Sequence, residues 1–251
     1  MLNGHTVKAI IPALNEEKAI GQVIDDLPRW IDEVIVVDNG STDRTGEIAE
    51  RHGARVIQEL VRGYGQACQT GVRSAGNPDI LLFIDGDYSD YPEEAGELVK
   101  PIAEQRCDFV IGSRARGSRA RGSLTLPQVF GNWLACRLIA LFWGFRYTDL
   151  GPFRAIRSTV LAALQMQDRG YGWTTEMQIR AARGGYRILE VPVRYRPRIG
   201  QSKISGTVSG VLGAGFKILL TIFRYATAPA TRRETDGHGR TRTNTDDRDC
   251  S

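Results

Sequence analysis

The 251-residue sequence has no uninterrupted apolar run of 18 residues, the approximate length that a membrane-spanning helix requires. No basic N-terminal segment precedes an apolar stretch, so we expect no secretory signal. The four cysteines, Cys68, Cys107, Cys136 and Cys250, form no C-x-x-C pair, and the three histidines are scattered. This pattern argues against a zinc site or a disulfide framework and favours isolated thiols in a reducing compartment.

Two glycine-rich nucleotide-binding patterns are also missing. No G-x-G-x-x-G follows the first predicted strand, and no G-x-x-x-x-G-K-[ST] occurs anywhere. The sequence therefore does not have the fingerprint of a dinucleotide-dependent oxidoreductase or of a P-loop NTPase.

Acidic residues are absent between Phe109 and Thr148, where six arginines occur. Residues 1–108 contain 10 Lys and Arg against 20 Asp and Glu, whereas residues 109–251 contain 23 against 9. A single arginine is most simply explained as a solvated surface residue. The whole block indicates that the second half meets an anionic partner, such as a phosphate, a nucleic acid or a lipid head group.

The most informative stretch that is present is the apolar run Ile80 to Ile84, which leads directly into Asp85, Gly86 and Asp87. A short continuous apolar run predicts a strand buried on both faces of a parallel sheet, and ligands bind at the carboxyl ends of such strands. The two carboxylates lie two residues apart on an extended chain and can face one hard cation. We expect Mg²⁺ or Mn²⁺ bridging a diphosphate, the alternative being a solvated turn.

Strand and helix patterns alternate along the first half of the chain. Strands are predicted at Val7 to Ile11, Val34 to Val37 and Arg55 to Gln58, with a helical pattern from Asn15 to Leu27 after the first strand. This alternation predicts an α/β fold with a mostly parallel, doubly wound sheet covered by helices on both faces. Asp38, at the end of the second strand, can accept hydrogen bonds from a ribose or a base.

Residues 112–123 form a loop rich in glycine, serine and arginine. We expect this loop to become ordered over phosphates, although a solvated loop or an RNA-binding tract would have a similar composition; no aromatic residue is interleaved to stack on bases. The following helix, predicted from Pro127 to Trp143, is apolar and contains two tryptophans near arginines. It is suited to a protein core or to a membrane interface.

Seven short segments, in this order, resemble the inverting family 2 glycosyltransferases of GT-A fold, and within them the dolichyl- or polyprenyl-phosphate mannose and glucose synthases. The segments fall between about residues 7 and 206. They are residues 11–17 (IPALNEE), 36–43 (VVDNGSTD), 63–67 (GYGQA), 85–92 (DGDYSDYP), 112–114 (GSR), 149–154 (DLGPFR) and a final block from residue 170 (GYGWTTE) through 190–193 (EVPV) to 200–203 (GQSK).

The resemblance implies a role for individual residues on the donor side. It assigns the nucleotide to Pro12, Asn15, Glu16, Asp38 and Gly65. It assigns the metal on the sugar diphosphate to Asp85 and Asp87, with Ser89 completing the metal shell.

On the acceptor side, the resemblance assigns a phosphate to Arg114, Arg121 and Lys203. A phosphate nucleophile is already ionised near pH 7 and needs no general base. A hydroxyl acceptor would need a general base, and Asp149 and Glu176 are then the candidates. Asp87, through the metal, is the third residue expected to take part in catalysis. For Glu176, a structural role at a helix N-terminus is an equally good interpretation.

The C-terminal part divides into two predicted segments after a catalytic domain of residues 1–203. Residues 204–227 are apolar but contain Lys217, whose burial in a spanning helix would cost about 3 kcal/mol. We therefore predict an amphipathic helix on a membrane surface or on a partner protein. Residues 228–251 are polar and are predicted to be a disordered tail.

Together these features predict a metal-dependent inverting glycosyltransferase, a hexosyltransferase that moves a hexose from UDP-glucose or GDP-mannose type donors to a polyprenyl or dolichyl phosphate. We expect a cytoplasmic enzyme, peripheral on the inner face of the membrane, with no nucleic-acid partner and with a possible homo-oligomer or anchoring partner. One alternative is transfer to a hydroxyl of a lipid or polysaccharide precursor. The other is a non-catalytic nucleotide-sugar or RNA-binding protein.

Overall fold

The computed structural model describes residues 1–200 and 208–227. Within these ranges the chain forms a seven-stranded sheet and eight α-helices. The strands are β1 Val7–Ala13, β2 Glu33–Asp38, β3 Arg55–Gln58, β4 Ile80–Phe83, β5 Phe109–Ser113, β6 Arg154–Arg157 and β7 Ile188–Pro192. The helices are α1 Ile20–Asp25, α2 Thr45–Arg51, α3 Tyr64–Ser74, α4 Ala95–Ala103, α5 Leu126–Trp143, α6 Ser158–Leu164, α7 Trp173–Arg183 and α8 Val208–Thr227. The predicted tail, residues 228–251, lies outside the described residues.

The strand order is β3-β2-β1-β4-β6-β5-β7. Strands β3, β2, β1 and β4 pair in parallel, and β7 is parallel to β5. Strand β6 runs antiparallel to both of its neighbours, β4 and β5. The mostly parallel α/β sheet predicted from the sequence is confirmed, with one reversed strand that the sequence did not predict.

Both faces of the sheet are covered, as alternating side chains of β1 illustrate. Ala9 and Ile11 belong to the core cluster that α1 and α4 complete. Ile10 points to the other face and belongs to the cluster formed with α3, α5 and α7. Because strands covered on both faces present apolar side chains in both directions, β4 is a continuous apolar run, and so is β1 from Ala9 to Ala13.

Helix α1 starts five residues later than the sequence predicted. Asn15 has φ of 52°, a left-handed conformation that helices do not continue through. Its backbone N–H donates to Ser41 Oγ at 2.9 Å, and the N–H of Glu16 donates to Thr45 Oγ1 at 2.8 Å. The loop after β1 is thereby fixed to the loop after β2, at the carboxyl edge of the sheet.

Helix α8 lies within the predicted segment 204–227 and packs against α5 and α7. Lys217 Nζ lies 3.4 Å from Asp168 Oδ2, and Ile222 is buried. Among the helices of residues 1–200 and 208–227, none has both the length and the apolarity that crossing a membrane requires.

Candidate active site

A cavity of about 430 Å³ opens where the parallel strands β1 and β4 end. The walls come from the loops after β1, β2 and β4, from the start of α3, and from the segment after β7. Of the residues predicted to bind the donor, Pro12, Glu16, Asp85 and Asp87 line this cavity. The fold therefore brings together predicted donor-binding residues that lie more than 70 positions apart in the sequence. They meet at one edge of the sheet, where α/β folds bind ligands.

Asp85 is contacted by the first residue of α3. The Tyr64 hydroxyl donates to Asp85 Oδ1 at 3.0 Å. Burial, and then the neighbouring charge of Asp87, raise the pKa of Asp85 to about 7. A divalent cation between the two carboxylates would relieve their repulsion and favour ionisation of both.

The carboxylate of Asp87 is oriented by two hydrogen bonds from Ser89. The Ser89 hydroxyl and backbone N–H donate to Asp87 Oδ1 at 2.6 and 3.0 Å. Ser89 itself is buried and does not line the cavity. The structure thus gives Ser89 a position that orients Asp87; its predicted direct contact with a metal stays a prediction.

Arg198 forms an ion pair with Asp87 and with Glu16. Its Nη1 lies 3.3 Å from Asp87 Oδ2, and its Nη2 donates to Glu16 Oε1 at 2.6 Å. The guanidinium is half-buried in the cavity wall and partly neutralises the charges of Asp87 and Glu16. Arginine in this position can also meet a diphosphate through two donors at once.

The carboxylate pair fits a hard divalent cation. Both carboxylates offer oxygen ligands just after the carboxyl end of β4, and the cavity has room for a diphosphate beside them. In the described part of the chain, no group of three or more His, Cys, Asp and Glu side chains converges to hold a metal ion. This donor set suits Mg²⁺ or Mn²⁺, which bind enzymes through one or two carboxylates and complete their shell with substrate phosphates and water.

Three predicted nucleotide-binding residues lie beside the cavity and do not line it: Asn15 in the loop after β1, Asp38 at the end of β2 and Gly65 in the first turn of α3. Asp38 Oδ1 accepts from the N–H of Ser41 at 2.8 Å, and Asn15 Oδ1 accepts from the N–H of Thr42 at 2.7 Å. The N–H of Gly65 donates to the carbonyl of Gly170 at 3.2 Å. These contacts hold the segments next to the cavity in place, and a nucleoside contact for each of the three residues stays a prediction.

Arg114 and Asp149 form a buried bidentate ion pair. Arg114 Nε and Nη2 donate to the two Asp149 oxygens at 2.8 and 2.7 Å, and the Arg114 N–H donates to Oδ2 at 2.7 Å. Burial alone would raise the pKa of Asp149, but the charge and hydrogen bonds of Arg114 hold it below its usual value. A carboxylate held ionised in this way is a weak base.

Glu176 lies away from the cavity, buried at the start of α7. Its carboxylate accepts from the N–H groups of Gln167 and Asp168, at 3.0 and 2.6 Å, and from Arg180 Nε at 2.9 Å. The Tyr225 hydroxyl of α8 also donates to it. These contacts give Glu176 a structural position that joins α7, α8 and the preceding loop.

Of the other predicted acceptor residues, Arg121 is exposed on the loop before α5. Lys203 lies outside the described residues. The structure therefore does not test whether these two side chains meet a phosphate.

Several cavity residues were not predicted from the sequence: Asn39, Arg62, Tyr64, Tyr171 and Arg198. Arg198 stands two positions before Gly200 in the last matching segment, and this was the signal that could have identified it. Tyr64 follows Gly63 in another matching segment. The sequence also gave no reason to single out Asp90, a buried carboxyl whose oxygens have no hydrogen-bond partner in the described structure and whose pKa burial raises well above its usual range.

The profile of the family described as "Glycosyl transferase family 2" matches residues 8–162, which include strands β2 to β6 and the cavity residues Glu16, Asp85 and Asp87. The chain belongs to glycosyltransferase family 2. This finding confirms the resemblance and the assignment to an enzyme class. It disfavours the non-catalytic alternatives.

Curated members of the family extend the match over most of the chain. An uncharacterised glycosyltransferase of Mycobacterium tuberculosis is 37% identical over 82% of this chain and 93% of its own length. The dolichyl-phosphate hexose transferase of Haloferax volcanii is 35% identical over 80% and 87% of the two chains. The undecaprenyl-phosphate mannosyltransferase of Micrococcus luteus is 31% identical over 81% and 89%.

Solved structures of another glycosyltransferase share the fold. Glucosyl-3-phosphoglycerate synthase from Mycobacterium tuberculosis, crystallised with Mn²⁺, UDP and phosphoglyceric acid, superposes with a TM-score of 0.72 at 25% identity, covering 90% of this chain and 80% of that one. The same enzyme with Mg²⁺ and UDP gives 0.71 at 26% identity, covering 90% and 81%. The GT-A fold predicted from the sequence is confirmed.

Proposed function

We propose that this family 2 enzyme transfers a hexose from a nucleoside diphosphate sugar to a polyprenyl phosphate, with Mg²⁺ or Mn²⁺ bound at Asp85 and Asp87. The observation that carries the proposal is the placement of both carboxylates and Arg198 around one cavity at the end of β4. Relatives that act on dolichyl and undecaprenyl phosphates support the acceptor. The neighbouring structures with UDP and Mn²⁺ or Mg²⁺ support the donor class and the metal.

The chemistry follows from the charges in the cavity. An oxygen of the acceptor phosphate attacks the anomeric carbon, the bond from that carbon to the diphosphate oxygen breaks, and the nucleoside diphosphate leaves with the bonding electrons. Configuration at the anomeric carbon inverts. A bound divalent cation supplies charge neutralisation on the diphosphate, while Arg198 is placed to donate to the same oxygens.

The surroundings of the two predicted bases favour a phosphate acceptor. Asp149 is held in its pair with Arg114, and Glu176 is engaged by backbone groups of residues 167 and 168. An ionised phosphate needs neither as a base. Arg114 and Lys203 remain our proposed contacts for the acceptor phosphate.

A second candidate is transfer to a hydroxyl. The reason to keep it is the structural similarity to an enzyme crystallised with phosphoglyceric acid, a compound that carries both a hydroxyl and a phosphate. This candidate requires a base that neither Asp149 nor Glu176 provides in its present contacts.

The test is release of nucleoside diphosphate from a panel of UDP- and GDP-sugars in the presence of Mn²⁺ or Mg²⁺, with undecaprenyl phosphate, with undecaprenol, with 3-phosphoglycerate or with no acceptor. We expect release that depends on the lipid phosphate and that EDTA abolishes. Release stimulated by 3-phosphoglycerate, and not by the lipid phosphate, would instead support the hydroxyl acceptor. Absence of release from every donor and acceptor would contradict both candidates.

A further inference from the structure

Helix α5 carries a stripe of exposed apolar side chains. Leu126, Phe130, Trp133 and Leu141 are spaced by 4, 3 and 8 residues, which places them on one side of the helix. Phe130 is 60% exposed and Leu141 is 75% exposed, whereas Ala135 and Ile139 on the opposite side are buried. The sequence of α5 is therefore apolar on its outer side as well as on its core side, and the outer side has no partner in the described structure.

Helix α8 continues this surface. Phe216, Leu220 and Phe223 repeat at helical spacing and are exposed. The ring of Phe223 packs edge-on against Phe142 of α5, with centroids 5.9 Å apart. We use "the α5–α8 face" for the six residues Phe130, Trp133, Leu141, Phe216, Leu220 and Phe223. Contiguous exposed apolar surface of this kind marks a site of interaction.

The charged residues of helices α5 and α8 themselves are all basic: Arg137, Lys217 and Arg224. Neither helix contains an acidic residue, and the guanidinium of Arg137 lies 5.8 Å from the Trp133 ring. Arg224 follows Phe223 on α8. The acidic groups that approach α8 from the protein side, Asp168 and Glu176, are engaged by Lys217 and by Arg180 with Tyr225.

Aromatic and aliphatic side chains interleaved with arginines, without acids, match the boundary between anionic head groups and acyl chains. A second copy of this chain matches less well, because a two-fold interface through the same face would place its arginines against each other without counter-charges. We propose that the α5–α8 face binds the surface of a lipid bilayer that contains anionic lipids. The proposal concerns a surface outside the cavity and does not depend on which acceptor the cavity uses.

The test is co-sedimentation of the full chain with vesicles that contain no polyprenyl phosphate, so that failure of the proposed acceptor leaves the result unaffected. Vesicles of phosphatidylcholine alone are compared with vesicles of phosphatidylcholine and phosphatidylglycerol. We expect binding to the anionic vesicles, and a loss of about tenfold or more for the double variant Phe130→Ser/Trp133→Ser, because burying one such side chain corresponds to at least a factor of about ten.

The matched control is a pair of exposed leucines. Leu126, at the start of the α5 stripe, is 85% exposed, and Leu60, between β3 and α3, is 82% exposed. We expect Leu126→Ser to weaken vesicle binding and Leu60→Ser to leave it unchanged. Arg137→Gln is expected to lower affinity for the anionic vesicles by about fivefold, with no change on neutral vesicles. Circular dichroism confirms that each variant is folded.

Three results would overturn the proposal. The first is absence of wild-type binding to the anionic vesicles. The second is equal binding by wild type and by folded Phe130→Ser/Trp133→Ser. The third is dissociation of an oligomer by these substitutions without any change in vesicle binding, which would make the α5–α8 face an interface between copies of the chain.

Discussion

Arg198 connects two carboxylates that come from different loops. It contacts Asp87 after β4 and Glu16 after β1, and so joins these two loops in the wall of the cavity. In the proposed enzyme, the same guanidinium meets the diphosphate of the donor. One side chain therefore faces either protein carboxylates or substrate oxygens.

We expect Arg198→Ala to change two affinities in opposite directions. Binding of UDP or GDP in the presence of Mn²⁺ should weaken about tenfold or more, since a charge-assisted hydrogen bond contributes roughly 1.5–3 kcal/mol. Binding of Mn²⁺ alone should tighten, because Asp87 and Glu16 lose their neutralising partner. Titration calorimetry measures both affinities.

The control for this prediction is Arg194→Ala. Arg194 lies on the same segment after β7 but pairs with Glu93 and Glu94, outside the cavity. Both affinities should stay at their wild-type values in this variant. Unchanged nucleotide binding in Arg198→Ala would contradict the position given to Arg198.

The Arg114–Asp149 pair leads to a prediction on stability. Asp149→Asn should lower the free energy of unfolding at pH 7 by about 3–5 kcal/mol, because Arg114 is left in a buried site without its counter-charge. The native pKa of Asp149 is lowered, so this stabilisation is present above the unfolded-state pKa of about 3.9 and is lost as pH falls through the native value. Urea unfolding at pH 7 and below pH 4 should show the difference shrinking.

Asp25→Asn is the comparison for Asp149→Asn. Asp25 pairs with His52 at 2.8 Å on the surface, and such pairs contribute about 1 kcal/mol or less. If Asp149→Asn were as stable as Asp25→Asn at pH 7, the structural weight given to the buried pair would be wrong.

At the scale of elements, Glu176 links α7 to α8 through Tyr225. Glu176→Gln should lower the free energy of unfolding by about 2–4 kcal/mol, since it weakens several charge-assisted hydrogen bonds in a buried site. Chemical denaturation monitored by fluorescence measures this loss. A general base would behave differently, with kcat lowered and stability kept.

The chain offers an exposed pair of the same geometry as a control. Glu47 and Arg51 are also four residues apart on a helix, and Glu47→Gln should change stability by about 0.5 kcal/mol or less. Equal, small effects at both sites would contradict the linking position of Glu176.

The packing of α3 on the sheet makes a separate prediction. A Cβ on Gly71 would lie 2.4 Å from Cγ2 of Ile10 and 3.2 Å from Cγ2 of Val37. Gly71→Ala should therefore destabilise the fold by roughly 1–3 kcal/mol through overpacking. Gly131→Ala in α5, where no atom lies within 4 Å, should stabilise it by about 0.5–1 kcal/mol through helix propensity. Thermal unfolding of both variants checks the pair, and a neutral Gly71→Ala would contradict the packing.

The sequence predicted those elements whose burial can be inferred from a local pattern of apolar residues. Strand β4 is a continuous apolar run followed by two acids, and the structure has it at Ile80–Phe83 with Asp85 and Asp87 in the cavity. Strand β6 was missed because it begins with Arg154 and ends with Arg157. In the buried guanidinium of Arg154, Nη1 and Nη2 donate to backbone carbonyls of Leu150, Gly151 and Thr174, contacts that no local pattern reveals.

The site was predictable to the same extent. Asp85 and Asp87 follow a strand and could be placed from their own surroundings. Arg198 meets Glu16 across 182 positions of sequence, and only the path of the chain after the edge strand β7 brings them together. The pairing of Asp149 with Arg114 and the contact of Glu176 with Tyr225 join residues far apart in the sequence, and no local pattern identifies these partners.

At the scale of the whole molecule, the two halves differ in charge and meet at the cavity. The acidic half supplies Glu16, Asp85 and Asp87, and the basic half supplies Arg198. The proposed bilayer-binding helices, α5 and α8, also belong to the basic half. Donor binding and membrane contact are thus assigned to different surfaces of one family 2 enzyme.

The most direct test of this account is the initial rate of nucleoside diphosphate release that depends on both metal and polyprenyl phosphate, compared between wild type, Asp87→Asn and Asp25→Asn. We predict that Asp87→Asn loses roughly a hundredfold or more of the rate, equivalent to about 2.7 kcal/mol of transition-state stabilisation. Asp25→Asn, outside the cavity, should keep the wild-type rate. Full metal-dependent release by folded Asp87→Asn would contradict the assignment of the cavity at the end of β4 as the site of sugar transfer.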